Sequence, residues 1–313
     1  MPQKIIIDTD PGIDDTIAIS IALRSPELEV MGLTSVFGNA SNEITAQNAL
    51  RLVELEGHDS IPVARGSDVP LVVALESIAS EVHGADGMGN TNPPSPKGKP
   101  VQKSAAEFII DTVHTYPAEV TLVPIGPLTN IALALKTDPE IAHFIKRIVL
   151  MGGTVSKPGN ISPVAEANIY HDPHAAEIVM RAGCPIVMVG LDVTRQVVMT
   201  PQFLEEIYQT HNPVTALMQR ILPVYQDFHR QVYGMEGGIH THDPSAIAYV
   251  LNSDLFRTES VPVFVETEGR CKGQTVADWH RQWENRPEIE VCMNVNSAGV
   301  LDLIKERLTR HVN

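Results

Sequence analysis

The stretch "DTDPGIDD", residues 8 to 15, places four aspartates within eight positions. It follows the apolar run "KIII" and leads into "IDDTIAISIAL", so the carboxylates are expected at the edge of a hydrophobic core. Asp14 and Asp15 fall in the first turn of the expected helix, where the backbone dipole favours acids. The helix dipole does not explain Asp8 and Asp10. Neighbouring carboxylates raise one another's pKa, so clustering four of them disfavours their charged forms. A hard divalent cation such as Ca²⁺ would relieve the repulsion.

A second acidic motif opens the segment "HTHDPSAIAYVL", in which His242 and Asp243 precede Pro244. Aspartate before proline is a common start of a helix, and "YHDPHAAEIV" and "KTDPEIA" repeat the pattern. Two interpretations stay open. Asp243 caps a helix, or it faces the first cluster and adds a distant metal carboxylate, with His242 as a candidate general acid.

A third polar segment is "GNISPVAEANIYHDP", residues 159 to 173. Asn160, Glu166 and Asn168 offer amide donors, amide acceptors and a carboxylate, the groups that hydroxyl-rich ligands require. Ordinary loop solubility explains such residues equally well.

Eight apolar, β-branched runs alternate with helical segments and would position these residues. They are "KIIIDTD", "LEVMGLTSVFG", "IPVARG", "EVTLVPIG", "RIVLMGG", "CPIVMVGL", "VPVFVETEG" and "EIEVCMNV". The pattern predicts an α/β fold with one open, mostly parallel, Rossmann-like sheet and helices on both faces, in a single domain over residues 1–313. Ligands bind beyond the carboxyl ends of such strands, where the polar residues fall.

Two further segments stand out in this pattern. Residues 84 to 100, "GADGMGNTNPPSPKGKP", have loop composition and form a candidate flap over the site. Residues 213 to 240 predict a helix, with Pro223 as a candidate kink, that runs into a glycine-rich loop.

Composition excludes several classes of protein. The chain has 38 acidic and 23 basic residues and a net charge of −15, which argues against a nucleic-acid polymer or an anionic membrane as partner. Three cysteines without a CxxC pair argue against a disulfide framework and favour a reducing cytoplasm. We expect no signal peptide or membrane-spanning segment, because no apolar run is long enough.

Taken in order along the whole chain, these segments resemble the inosine-uridine nucleoside hydrolase family of metal-dependent nucleoside N-ribohydrolases. The resemblance rests on "DTDPGIDD", "TSVFGN", "VPIGPLTN", "LMGG", "AEANIYHDPHAAEIV" and "HDPSAIAYV". It implies hydrolysis of the N-glycosidic bond of ribonucleosides to ribose and free base, in nucleoside salvage. It also implies a homodimer or a homotetramer.

Carried over residue by residue, the resemblance implies one Ca²⁺ held by Asp10, Asp15, the backbone carbonyl of Ile125 and Asp243. It implies that the ribose hydroxyls are bound by Asp14, Asn39, Met151, Asn160, Glu166 and Asn168. Asp10 would be the general base for the attacking water, and Asp8 would support the cluster. His242 is the candidate donor to the departing base.

His83 bears on the substrate class. A lone histidine in "EVHGADG" is by itself typical of a surface or loop position. In the resemblance it matches the branch that accepts pyrimidines or inosine and uridine, whereas the purine-preferring branch carries tryptophan there; Trp279 and Trp283 lie far along the chain. Base contacts are open to Phe228, His229 and Tyr233.

Two other functions stay open from the residues. "DTDPG" after a first strand superficially matches phosphohydrolases of the haloacid-dehalogenase type, although Gly12 stands where that family needs threonine or valine. A non-catalytic, calcium-dependent protein that binds a nucleoside or ribose would use the same metal and polyol contacts, but it would need neither Asp10 as a base nor His242 as an acid.

Overall fold

The computed structural model describes residues 1–76, 78–283 and 285–310. All eight apolar runs predicted from the sequence form strands of one nine-stranded sheet. Together with the two strands of a separate ribbon, β7 and β8, the described strands are β1 (Gln3–Thr9), β2 (Leu28–Ser35), β3 (Val63–Arg65), β4 (Thr121–Pro124), β5 (Arg147–Met151), β6 (Ile186–Val189), β7 (Val198–Met199), β8 (Ile239–His240), β9 (Phe256–Val265), β10 (Thr275–Ala277) and β11 (Glu288–Val295).

The spatial order of the sheet is β10-β9-β11-β6-β5-β4-β1-β2-β3. Neighbouring strands from β3 to β11 run parallel, whereas β9 and β10 form an antiparallel edge. The mostly parallel α/β sheet is therefore confirmed. β10 and a separate two-stranded ribbon of β7 and β8 were not predicted, because these strands of three and two residues do not stand within a recognisable apolar run.

Helices cover both faces of the sheet. They are α1 (Ile13–Leu23), α2 (Asn42–Leu55), α3 (Ser80–His83), α4 (Ala105–Thr115), α5 (Thr129–Thr137), α6 (Ala167–His171), α7 (Pro173–Met180), α8 (Leu191–Thr194), α9 (Pro201–Tyr208), α10 (Pro213–Tyr233), α11 (His242–Leu251) and α12 (Ser297–Thr309). The predicted long helix is α10, and it continues through Pro223. Among the described helices, none has the length and apolar character that a bilayer crossing requires.

The alternation of side chains along β1 explains why its apolar run is continuous. Ile5 and Ile7 pack in the core on the face that carries α1, α2, α10 and α11, whereas Ile6 packs in the core beneath α4, α5 and α7. All three side chains are fully buried. A strand covered on both faces has no solvent side on which to place polar residues, so polar side chains are expected at its end.

Candidate active site

The polar residues collect where the order of the sheet reverses. β1 pairs with β2 on one side and with β4 on the other, so chain connections leave β1 in opposite directions. Such a switch point opens a crevice beyond the carboxyl ends of the strands. Asp10, Asn39 and Ile125 follow β1, β2 and β4, and all three therefore reach this crevice.

Asp10 lies almost fully buried beneath the crevice. Its Oδ2 accepts the backbone N–H of Asn39 at 2.7 Å, whereas its Oδ1 has no hydrogen-bond partner among the described residues. A Cβ added to Gly126 would lie 2.5 Å from Oδ1, so only glycine allows the backbone to approach this closely. Burial, and then the charge of Asp15, raise the pKa of Asp10 well above its ordinary value.

Three other carboxylates form a compact group beside Asp10. Oxygens of Asp14, Asp15 and Asp243 all lie within 4.8 Å of one another, and all three residues are buried. Asp15 accepts the Gly12 backbone N–H at 3.0 Å. Burial, and then the charge of Asp15, raise the pKa of Asp14 to about 7. Burial, and then Asp14 and Asp15, raise the pKa of Asp243 well above its usual range.

The structure distinguishes the three Asp-Pro motifs that were candidates for helix starts. Asp138 accepts a backbone N–H in the first turn of a short 3₁₀ helix (Pro139–His143), and Asp172 accepts one in the first turn of α7. Asp243 instead lies inside the first turn of α11, whose N-cap residue is Thr241, and it accepts no backbone N–H among the described residues. Its carboxylate faces Asp15, so the side chain lies toward the first cluster, while its role as a metal ligand stays a prediction.

A cavity opens above this carboxylate group. Residues singled out from the sequence that line it are Asp14, Asn39, His83, Ile125, Met151, Asn160, Glu166, Asn168, Phe228, His229, Tyr233, His242 and Asp243. Asp10 and Asp15 lie beneath its floor. Asp8 is fully buried, and the side chains of Asn130 and Thr34 donate hydrogen bonds to its Oδ1. Burial raises the pKa of Asp8 to about 7.

One wall of the cavity is polar. Glu166 begins α6 and accepts backbone N–H groups of Gly153, Asn168 and Ile169 at 3.0–3.2 Å. The Asn168 side chain donates to the carbonyls of Ile125 and Met151 at 3.0 and 3.2 Å. These bonds join the ends of β4 and β5 to α6 and hold the wall in one arrangement.

The opposite wall is aromatic and comes from α10 and α3. The ring of His229 lies 4.4 Å from that of Tyr225 and 5.4 Å from that of Tyr233, measured between centroids. His83 is buried, which corrects the surface position expected for a lone loop histidine. Its Nδ1 accepts the Ile13 backbone N–H at 3.0 Å, so the start of α1 holds the ring in place.

The family model for the inosine-uridine preferring nucleoside hydrolase matches residues 5–302. The chain belongs to this nucleoside hydrolase family. It is 41% identical to the probable uridine nucleosidase 2 of Arabidopsis thaliana, over 98% of this chain and 97% of that protein. It is also 41% identical to the pyrimidine-specific ribonucleoside hydrolase RihA of Citrobacter koseri, over 98% of both chains.

A solved plant nucleoside hydrolase superposes with a TM-score of 0.96 at 39% identity, over 99% of this chain and 100% of that one. As a nucleoside hydrolase, the protein hydrolyses ribonucleosides to ribose and free base. This assignment takes the place of the haloacid-dehalogenase and the non-catalytic binding interpretations.

The nucleoside hydrolase cavity contains a residue that the sequence analysis missed. Tyr225 lines the aromatic wall, and its hydroxyl donates to Asp14 Oδ2 at 3.2 Å. Helical spacing could have found it, because Tyr225 precedes Phe228 and His229 by three and four positions and so shares their face of α10.

Residues 84 to 100, the candidate flap, do not line the cavity of the nucleoside hydrolase, and their closure over the site stays a prediction. The cavity is lined by the preceding residues Ala79, Val82 and His83, and not by the loop itself. Asp86 accepts three backbone N–H groups of its own loop, and Asn48 ties the Asp86 carbonyl to the Pro11 carbonyl. These bonds anchor the loop against the outside of the site.

Proposed function

We propose that this protein uses one Ca²⁺ to hydrolyse ribonucleosides and prefers those with a pyrimidine base, or inosine and uridine. The observation that carries the proposal is the buried group of Asp14, Asp15 and Asp243 at the cavity floor, with oxygens within 4.8 Å of one another. Buried like charges repel strongly unless protons or a cation compensate them. The family is metal-dependent, and Ca²⁺ prefers carboxylate and carbonyl oxygens.

The proposed ligands are Asp10, Asp15, the Ile125 carbonyl and Asp243. Two observations support this choice: Asp10 keeps a buried oxygen without a partner, and Asp243 does not cap its helix. Asp14 belongs to the same carboxylate group, but its Oδ2 already accepts the Tyr225 hydroxyl toward the aromatic wall. We therefore assign Asp14 to the substrate.

The ribose hydroxyls would bind to Asp14, Asn39, Met151, Asn160, Glu166 and Asn168. These residues line the cavity, and backbone or side-chain hydrogen bonds hold several of them in place. Asn160, for example, accepts the Ala167 N–H through Oδ1, which leaves its amide N–H₂ for a hydroxyl oxygen.

Cleavage of the ribose–base bond builds positive charge on the sugar, and nearby carboxylates stabilise that charge. A bound Ca²⁺ would position a water and lower its pKa. Asp10 would take the proton of this water as general base. His242 lines the same cavity and would donate a hydrogen bond to the departing base.

The aromatic wall supports the proposed base preference. The Nδ1 of His229 lies 2.8 Å from the Tyr225 carbonyl, so this nitrogen carries the proton and its Nε2 is an acceptor. Nε2 is buried and has no partner among the described residues. A buried acceptor suits the ring N–H of uracil or hypoxanthine, which adenine and cytosine lack. Phe228 and Tyr233 would pack against the base.

The test is incubation of the purified protein with uridine, cytidine, inosine and adenosine, followed by measurement of free ribose. We expect faster release from uridine and inosine, whose bases carry that ring N–H, than from cytidine and adenosine, whose bases do not. His229→Phe removes the acceptor but keeps an aromatic ring, and should selectively reduce the rate with uridine and inosine. Fastest release from adenosine would contradict the proposed base preference and leave the hydrolase assignment intact.

Removal of the metal should affect both activity and stability. A strong chelator should abolish ribose release, and added Ca²⁺ should restore it better than Mg²⁺, with one ion bound per chain by mass spectrometry. Without the cation, the raised pKa values of Asp10, Asp14 and Asp243 make the folded chain bind more protons than the unfolded chain between about pH 4 and 7.

Stability of the metal-free protein should therefore fall as the pH rises through that interval. We expect its melting temperature to be lower near pH ~8 than near pH ~5.5, whereas the Ca²⁺-loaded protein should change much less. Identical melting temperatures with and without chelator at the higher pH would exclude a cation among these carboxylates.

We further propose that residues 1–313 act as one catalytic domain in a cytoplasmic homodimer or homotetramer. The three cysteines, Cys184, Cys271 and Cys292, are unpaired, as expected in a reducing compartment. Light scattering of the purified protein would measure the assembly.

A further inference from the structure

The short helix α8 places a threonine against the candidate donor to the base. Thr194 is fully buried, and its Oγ1 lies 2.8 Å from Nδ1 of His242. Among the described residues this is the one hydrogen bond of the Thr194 hydroxyl, and also the one hydrogen bond of the His242 ring. The nearest aromatic neighbour of that ring, His240, lies 5.7 Å away between centroids and contributes no hydrogen bond to it.

Hydrogen-bond accounting fixes the direction of this contact. A buried hydroxyl that donates to nothing loses the free energy of its desolvated proton. Nδ1 is the one acceptor that contacts Thr194 Oγ1 among the described residues, so the hydroxyl can satisfy its proton there only by donating to Nδ1. The neutral ring of His242 then carries its own proton on Nε2. Nε2 is the ring nitrogen left over for the cavity that His242 lines.

We propose that Thr194 is a positioning residue that sets the orientation and the tautomer of His242, so that Nε2–H points to the departing base. This inference rests on the proposed function, in which His242 donates to the base. Without the threonine, the proton could occupy Nδ1 and the ring could present a lone pair to the developing negative charge. Such a ring would repel the leaving group instead of stabilising it.

Hydrogen bonds to neighbouring segments fix the position of α8, which carries Thr194. The Leu191 N–H donates to the Gly153 carbonyl at 2.9 Å, and Asp192 accepts the backbone N–H groups of Val155 and Ser156 at 2.9 and 2.8 Å. These bonds hold α8 against the segment that follows β5. A positioned donor requires this rigidity, because a loose hydroxyl would not select one tautomer.

Arg195, the residue after Thr194, contacts two segments beside the cavity. Its guanidinium donates to the carbonyls of Pro158 and Gly159 at 2.8 Å and lies 5.6 Å from the centroid of the Tyr233 ring. Asn160 follows these two carbonyls directly. One short helix and the residue after it therefore contact three parts of the cavity: the polar wall, His242 and the aromatic wall. The contacts are made by Asp192, Thr194 and Arg195.

The test compares Thr194→Val, which keeps the shape but removes the hydroxyl, with Thr194→Ser, which keeps the hydroxyl. We expect Thr194→Val to lower kcat for uridine by about 10- to 100-fold with little change in KM, because a transition-state hydrogen bond is lost. Thr194→Ser should stay near the wild-type kcat. With p-nitrophenyl riboside, whose phenolate leaves without a donor, Thr194→Val should stay close to wild type.

A merely structural role would give a different pattern. Equal losses on both substrates, or a loss in Thr194→Ser as large as in Thr194→Val, would overturn the proposal. In the His242→Ala background, Thr194→Val should cost nothing further, and an additional loss there would also overturn it. Nitrogen NMR of the histidine rings should show Nε2–H for His242 in the wild type and a changed tautomer in Thr194→Val.

Failure of this inference is distinguishable from failure of the proposed function. Wild-type protein that cleaves uridine, together with an equally active Thr194→Val variant, would remove only the role of Thr194. A His242→Ala variant with unchanged selectivity between the two substrates would remove the role of His242 itself. Circular dichroism and thermal melting of both Thr194 variants would confirm that each is folded.

Discussion

Asp10→Asn should abolish most turnover of uridine while leaving the fold intact. Asparagine has the shape of aspartate, and its amide oxygen can still accept the Asn39 N–H that Asp10 Oδ2 accepts at 2.7 Å. The amide group of asparagine is not basic enough to accept the proton of the attacking water. Loss of a positioned general base typically lowers the rate by about 10²–10⁴-fold, and we expect kcat to fall within this range.

The same substitution also removes a proposed metal ligand, so binding of the cation must be measured in parallel. Calorimetric titration of metal-free Asp10→Asn with Ca²⁺ separates the two effects. Retained binding with lost turnover would support the base role, whereas loss of both would place the effect on the cation. Near-normal turnover would remove Asp10 from the mechanism. Asp138→Asn, at a helix cap outside the cavity lining, is the control variant and should leave turnover unchanged.

His242→Ala should damage hydrolysis of natural nucleosides far more than hydrolysis of a riboside with an activated leaving group. A nucleobase departs as an anion unless a donor stabilises it, whereas p-nitrophenolate is a stable anion in water. We expect kcat with uridine to fall by about 10²–10⁴-fold, and kcat with p-nitrophenyl riboside to fall much less.

The burial of His242 explains why this donor should act as a neutral ring. Burial, together with His240 and His229, lowers the pKa of His242 well below its ordinary value. His114→Ala is the matched control, because His114 lies exposed on the surface, with its Nε2 2.6 Å from Asp138 Oδ2. Equal losses of His242→Ala on both substrates would show that the residue does not assist departure of the base.

Much of the architecture could be predicted from local patterns. The eight apolar runs became strands because a strand buried on both faces requires a continuous apolar run, and that requirement is visible without any partner. The position of "DTDPGIDD" at a strand end also followed from local sequence. The crevice was predictable for the same reason, since parallel strands bring their carboxyl ends to one edge.

Contacts between distant parts of the chain decided the rest. Three Asp-Pro motifs look alike in sequence, yet Asp138 and Asp172 cap helices while Asp243 faces Asp15. Local propensity is the same at all three sites, so the difference arises from the packing of α11 against α1. A helix cap and a carboxylate that faces other carboxylates have the same side chain, and only the group that lies opposite distinguishes them.

The buried histidines likewise depend on contacts that local sequence does not indicate. "EVHGADG" looks like a surface loop, but His83 is buried because it accepts the N–H of Ile13, seventy positions earlier. Thr194 and His242 are forty-eight positions apart, and nothing near either residue indicates their contact. Residue types and strand ends were thus determined by local sequence. Tertiary packing determined which polar groups meet, because hydrogen bonds and charge pairs depend on distances that the order of residues does not specify.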